Sequence, residues 1–378
     1  MTVQETLGQL VAIDSVSSRS NVGICDYLVK RCEALGFSVK RLPYTDAFGI
    51  EKVNILAVAG TELSDTPQVE LALVGHTDTV PYDPNWNEAL TLTERDGKLF
   101  GRGACDTKGF IAATLSAVEA LDLGQLVRPL ALIFTADEEI GLIGAKRLAE
   151  ARALSMRFAI VGEPTSLRPM RAGKGYCLAE VSVKGREAHS AYPALGSSAV
   201  MGAARLITRI ETIAGQLKSD QHPAFDPPFT TLNVGLIHGG TAKNVIAGEC
   251  KFTLEWRPIP GQGPEKFLQL LSDVVEAEKK SDPGLAFEVD AARTDGGYET
   301  SLDSRLVNLL EQVSGHTAGT VAFGTEAAQM TALGAEAVVM GPGDIRVAHR
   351  TGEYVPVDEL ERCVEILKDS IRSLCLKG

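Results

Sequence analysis

Several familiar signatures are missing from this chain of 378 residues. None of its seven cysteines (Cys25, Cys32, Cys105, Cys177, Cys250, Cys363, Cys375) stands in a CxxC pair, and no Cys/His cluster has zinc-finger spacing. An odd, dispersed set fits a reducing compartment better than a disulfide framework. No apolar run approaches the ~18 residues a membrane helix needs. The opening MTVQETLGQL has no basic start and carries Glu5 where a signal peptide would have its apolar core. These absences predict a soluble, cytoplasmic protein with no membrane partner. A net charge of −12 disfavours a nucleic-acid partner, since phosphate binding needs a basic face. The charge itself calls for no more than solubility.

Common catalytic motifs are absent too. GRGACD, GPGDIR and GKGYCL each contain GxG but lack the third glycine of a dinucleotide fingerprint. There is no Gly-Lys-Ser/Thr of a P-loop, no GxSxG elbow and no HExxH helix. Cys105 has no nearby histidine base in sequence and reads as a small packed residue. The chain has no internal repeat and no low-complexity segment.

What is present is enough apolar content, 44%, for a full core and for two domains. Residues 21–37 read as an amphipathic helix ending at Gly36. Apolar, β-rich runs follow at 54–60, 69–77, 129–139 and 158–164, with helical segments at 107–121 and 144–153 between the later ones. Such alternation predicts an α/β fold with a mainly parallel central sheet flanked by helices. The pattern changes near 175. Strand, long helix, two strands, helix and strand follow in turn (175–185, 197–217, 230–240, 248–260, 264–280, 285–293). That order is β-α-β-β-α-β, a ferredoxin-like unit. From about 294 the first pattern resumes, with helices at 304–314 and 325–333, a strand at 336–343 and a last helix at 357–375. The expected organisation is one domain from 1–174 and 294–378, interrupted by an inserted ferredoxin-like domain at 175–293.

In open α/β sheets, ligands bind beyond the carboxyl ends of the strands. Here LALVG runs into His76, Thr77 and Asp78, LALIFTA into Asp137, Glu138 and Glu139, and FAIVG into Glu163. Asp106 opens the helix starting near Thr107, and VVMGPG leads to a loop carrying His349. Any one of these is more simply a helix cap or a turn residue. Together they point the other way, because carboxylates at three strand ends repel one another unless a cation compensates. Mixed imidazole and carboxylate ligands suit zinc, with cobalt or manganese as substitutes. Two histidines and three carboxylates exceed what one tetrahedral catalytic zinc needs, so two divalent ions about 3.5–4 Å apart are expected. Of the adjacent Glu138 and Glu139, one can ligate while the other stays free as a general base. The plainer alternative is an acidic helix start favoured by the dipole.

At these residues the chain resembles the co-catalytic metallohydrolases, a family that includes acetylornithine deacetylase, succinyl-diaminopimelate desuccinylase, aminoacylase-1 and glutamate carboxypeptidase. The matching stretches are GHTDTVP (75–81), GRGACDTKGF (101–110), TADEEIG (135–141), VGEPT (161–165), REAHSAYP (186–193) and GPGDIRVAHRTGEYV (341–355). The resemblance implies a zinc-peptidase-like catalytic domain. It makes His76 and Glu163 ligands of one metal, Asp106 the bridge, and Glu139 and His349 ligands of the second. Glu138 becomes the general base and Asp78 the carboxylate that orients His76. It also makes His189 an oxyanion-stabilising group that reaches the other subunit's site in a homodimer built on the inserted domain. Arg257 and Asn244 resemble residues that grip a substrate α-carboxylate, for which the planar guanidinium fork is apt. Thr325 and Glu326 are expected in the substrate pocket, although Glu326 reads slightly better as a helix-start carboxylate.

Residues 161–176, the GRGACDTKG form and FGTEAAQM (323–330) look most like the acetylornithine-deacetylating branch. The implied reaction is hydrolysis of an N-acyl amino acid, N2-acetyl-L-ornithine first, as in arginine biosynthesis. A desuccinylase, an aminoacylase, an acetylcitrulline deacetylase or a peptidase remains open. So does a non-catalytic small-molecule binder on the same scaffold.

Overall fold

The computed structural model describes residues 1–377. They fall into two compact units. One comprises Met1–Ala172, Glu299–Gly319 and the chain from Thr325 onward; the other comprises Gly173–Tyr298 with Thr320–Gly324.

In the first unit, the strands Leu130–Thr135, Gln68–His76, Ser155–Val161 and Glu336–Val339 lie side by side and parallel. Their near-continuous Val, Ile, Leu and Ala runs suit strands covered on both faces. Glu51–Ala59 and then Ser38–Thr45 extend this centre with antiparallel pairing, and Met170 pairs antiparallel with Val339 on the opposite side. The sheet is therefore mixed around a parallel core. The strand Ser38–Thr45 is not evident from sequence: SVKRLPYT is polar and contains Pro43, a composition that a sheet tolerates at its edge.

Helices Val3–Val11, Lys108–Glu119 and Val357–Cys375 pack on one another and share the main apolar core. Lys108–Glu119 is apolar nearly all round, as a fully covered helix must be. Its start is pressed against the sheet. A Cβ at Gly162 would lie 2.2 Å from the Phe110 ring, so only glycine permits that approach. The carboxyl ends of the parallel strands and the start of this helix carry the chemistry described below.

The second unit has an antiparallel sheet in the order Thr231–Gly239, Glu249–Arg257, Tyr176–Lys184, Ala286–Asp295. Alternate residues Cys177, Ala179, Val181 and Val183 are buried, in one cluster with apolar residues of helices Ala199–Leu217 and Glu265–Ser281. A period-2 strand with one covered face produces this alternation. A short pair, Ala188–His189 with Val245–Ile246, has no such pattern and is seen only in the structure. No helix among the described residues is long and apolar enough to cross a membrane.

Candidate metal centre

The strand Gln68–His76 delivers His76 at its last position, where it pairs in register with Thr135. The ring is 1% exposed. Its Nδ1 lies 3.0 Å from the Asp78 carbonyl oxygen and 3.6 Å from the Asp78 carboxylate. An Nδ1–H donated to that carbonyl leaves Nε2 free to ligate, which is the usual way a ligating histidine is oriented. Nε2 points at Asp106 Oδ1, 3.0 Å away.

The Asp78 carboxylate has further work. It accepts the Ser17 hydroxyl at 2.7 Å and the backbone N–H groups of Glu138 and Glu139 at 3.1 and 3.3 Å. One buried carboxylate thus sits beside His76 and holds the turn that presents both glutamates. Asp137, just before them, has φ +56. It lies in the left-handed region, where aspartate is among the tolerated residues. Its carboxylate accepts from Lys52 at 2.6 Å and Tyr44 at 2.8 Å.

Asp106 is 5% exposed. Its Oδ2 is 3.2 Å from His349 Nε2, and the same nitrogen is 3.0 Å from Glu139 Oε2. The Asp106 carboxylate is thereby flanked by one imidazole on each oxygen. Ligand atoms of His76, Asp106 and Glu139 all lie within 4.8 Å of one another. Glu163, also 5% exposed, follows the strand Ser155–Val161, and the Thr107 hydroxyl ties the Asp106 loop to the Gly162 carbonyl at 2.9 Å.

Charge crowding shows in the acid–base properties. Burial, then the charge of Asp106, pushes Glu163 well above the usual carboxylate range. Burial, reinforced by Glu139, does the same to Glu138, and burial with Asp106 raises Glu139. For His76, burial favours the neutral ring, but Asp106 and Asp78 outweigh it and hold its pKa well above normal. The hydrogen bonds to Asp106 and Glu139 lift His349 to about 10. Asp106 moves the other way: burial would raise it, but His349 and His76 keep it low. Buried carboxylates whose pKa values are raised by burial and mutual repulsion, facing two imidazoles, are a donor set for a divalent cation. Glu139 Oε1 is buried with no hydrogen-bond partner, an orphaned acceptor such an ion would satisfy. The residues present fit a metal.

Thr325 and Glu326 stand at the start of helix Ala327–Ala332, where the Thr325 hydroxyl accepts from the Ala327 N–H at 3.2 Å. Glu326 is 1% exposed, and burial raises its pKa to about 7, with His76 and Thr135 pulling down against it. The remaining expected site residues belong to the second unit. His189 is exposed, and its Nδ1 accepts the Ala191 N–H at 3.1 Å. Asn244 is exposed beside it, with its carbonyl accepting the Ser190 N–H. Arg257 ends its strand stacked 4.5 Å over the Tyr176 ring. It donates to Glu255 at 2.7 Å and to the Ala322 carbonyl at 3.0 Å.

The supports Ser17, Lys52 and Tyr44 carry no signal in the sequence, and Arg102 and Glu353, although inside the family-like stretches 101–110 and 341–355, are not marked there as partners. Each is ordinary in its own stretch of chain, and only the fold gives it a partner.

A parallel-centred sheet with imidazole and carboxylate groups gathered at its strand ends defines a metal-dependent hydrolase. The model of peptidase family M20/M25/M40 matches residues 72–373. The chain is 54% identical over 374 residues to the acetylornithine deacetylase of Myxococcus xanthus, covering 99% of this chain and 97% of that protein. It is 36% identical over 385 residues to the acetylornithine deacetylase of Proteus mirabilis, with 99% and 97% covered. In fold it is similar to a Staphylococcus aureus tripeptidase, with a TM-score of 0.78 at 23% identity over 98% of this chain and 97% of that one. The chain belongs to peptidase family M20/M25/M40.

Proposed function

We propose that this protein hydrolyses the amide bond of an N-acyl amino acid, with N2-acetyl-L-ornithine as substrate and L-ornithine and acetate as products. The observation that carries this reading is the Asp106 carboxylate flanked by His76 and His349, with Glu138 beside it on the turn held by Asp78. The 54% identity to the Myxococcus acetylornithine deacetylase supports the substrate.

His76, Asp106 and Glu163 are assigned to one divalent ion and Asp106, Glu139 and His349 to a second. Zinc suits both, and cobalt or manganese are substitutes. Bound there, such ions supply Lewis-acid polarisation of the amide carbonyl and a lowered pKa for water. Glu138 takes the proton of the attacking water as its oxygen bonds to the acyl carbon. It returns that proton to the amide nitrogen as the C–N bond breaks, so acetate and the free amine leave. Burial raises the proton affinity of Glu138 above that of an exposed glutamate, the direction a general base requires.

His189 is assigned to the oxyanion. Because Nδ1 accepts from Ala191, Nε2 carries the proton and donates. Arg257 and Asn244 are assigned to the substrate α-carboxylate, and Thr325 and Glu326 to the pocket. A homodimer through the inserted unit fits its edge strand Thr231–Gly239, on which Leu236 and Ile237 are exposed. Seven buried cysteines dispersed along the chain support a cytoplasmic setting.

The test is a panel of acetyl-, succinyl- and peptidyl-amino acids offered to the purified, metal-loaded protein. Acetylornithine should turn over fastest, chelation should abolish turnover, and zinc or cobalt should restore it. Faster turnover of another acyl group reassigns the substrate, and binding without turnover of any of them marks a non-catalytic binder.

A further inference from the structure

Glu353 is a buried carboxylate that the hydrolytic mechanism does not use. It is 1% exposed, yet it lies only four positions beyond His349, whose side chain is 52% exposed. Its Oε1 accepts the backbone N–H groups of Cys105 and Asp106 at 2.9 and 3.0 Å. Its Oε2 accepts Arg102 Nη1 at 2.5 Å. The main chain continues the attachment: the Glu353 carbonyl accepts the Gly101 N–H at 3.1 Å, and the Glu353 N–H donates to the Arg350 carbonyl at 3.2 Å. Arg102 is itself 3% exposed. Its Nη2 donates to the Pro81 carbonyl at 3.2 Å, and its guanidinium lies 5.5 Å from the Trp86 ring centre. One carboxylate therefore clasps the Gly101–Asp106 loop to the turn that bears His349.

We propose that Glu353 is a positioning residue for the His349 half of the metal centre, setting the spacing between Asp106 and His349. The inference rests on the two-ion reading above. His349 has φ +60 and follows a 3-10 turn whose Ile345 and Arg346 are exposed, so in its own segment only the buried Ala348 anchors it. The nearest fixed point on its C-terminal side is Glu353, and that point is fastened to the backbone of Asp106 itself. A carboxylate suits the position because it offers acceptors alone. Two N–H groups meet one oxygen and a guanidinium meets the other. An amide in its place would turn an NH2 toward one of those donors, and the clasp would open on that side.

The experiment compares wild type with Glu353→Gln and Glu353→Asp. Metal-free protein is titrated calorimetrically with zinc, and thermal midpoints and kcat and KM at saturating and limiting zinc are read alongside. Wild type should bind two ions. Glu353→Gln should bind the first with wild-type affinity and the second about 10- to 100-fold more weakly, the cost typical of losing an outer support of a metal ligand. Its kcat should fall at limiting zinc and recover with excess, while KM stays put. Glu353→Asp should recover part of the second affinity. A lower thermal midpoint with both affinities unchanged overturns the proposal and leaves Glu353 a purely structural residue. Wild type that binds one ion or none overturns the two-ion reading, and this inference with it. Should Glu353→Gln fail to fold, Arg102→Lys removes one side of the clasp. An unchanged second affinity there overturns the proposal equally.

Discussion

Lys52 Nζ donates to Asp137 Oδ1 at 2.6 Å, with 1% and 0% of the two side chains exposed. The same ammonium donates to the carbonyls of Ser17 and Arg19 at 2.5 and 2.9 Å, so its three protons are all engaged. The pair secures a left-handed aspartate immediately before Glu138 and Glu139. Replacing Lys52 by Met leaves Asp137 buried without its cation, which should cost about 3–5 kcal/mol of stability. Denaturant unfolding of the metal-loaded variant measures this. An unfolding free energy within about 1 kcal/mol of wild type would mean the buried aspartate simply takes up a proton.

Glu138 is the group whose loss should separate chemistry from binding. Glu138→Gln keeps the shape of the turn and the N–H donated to Asp78. Turnover should fall by about 10²–10⁴, the usual worth of a general base. Zinc stoichiometry should not change. Activity near that of wild type would remove the assignment.

Metal-free protein should show an unusual pH dependence. Glu138, Glu139 and Glu163 titrate above the ordinary glutamate range in the folded chain, and His349 is lifted to about 10. A folded-state pKa above the unfolded one means that protonation favours the fold. The associated stability is complete below the unfolded values and lost as pH climbs through the folded ones. Asp106 has the opposite sign, because its depressed pKa supplies stability that is lost only in acid, below the ordinary aspartate range. The metal-free thermal midpoint should therefore decline from about pH 5 toward pH 9, and added zinc should flatten the decline. A midpoint that rises across this window would contradict the charge crowding described for the site.

Glu326 offers a specificity test. If its buried carboxylate receives the ornithine ammonium, Glu326→Gln should lower kcat/KM for acetylornithine by about tenfold or more relative to an acyl amino acid with an uncharged side chain. Equal losses on both substrates would instead place Glu326 with the scaffold that supports Thr135 and His76.

The parallel core and the strand-end groups were legible because both leave local marks. LALVG, LALIFTA and FAIVG are largely apolar runs, and each stops at a histidine or a carboxylate. The ferredoxin-like order of the second unit was legible from alternation, as in Tyr176–Lys184. The edge strand Ser38–Thr45 was not, since Pro43 and its charged neighbours resemble a loop until Glu51–Ala59 is laid beside them. The supports were harder still. Lys52 meets Asp137 across 85 positions and Arg102 meets Glu353 across 251. A buried charge with a remote partner has no periodicity to betray it. In one-dimensional reading Glu353 is a polar residue near a turn, and its burial depends on a loop at the far end of the chain.

The separation between Asp106 and His349 also has a temporal meaning. During translation, His76, Asp106, Glu139 and Glu163 have all been polymerised before the ribosome starts on the second unit. His349 and Glu353 follow only after that unit has been made. A nascent chain thus carries His76 and the acidic groups of the centre for a long interval without His349, the second imidazole that flanks Asp106. The order of polymerisation sets the order in which the ligands of the centre become available.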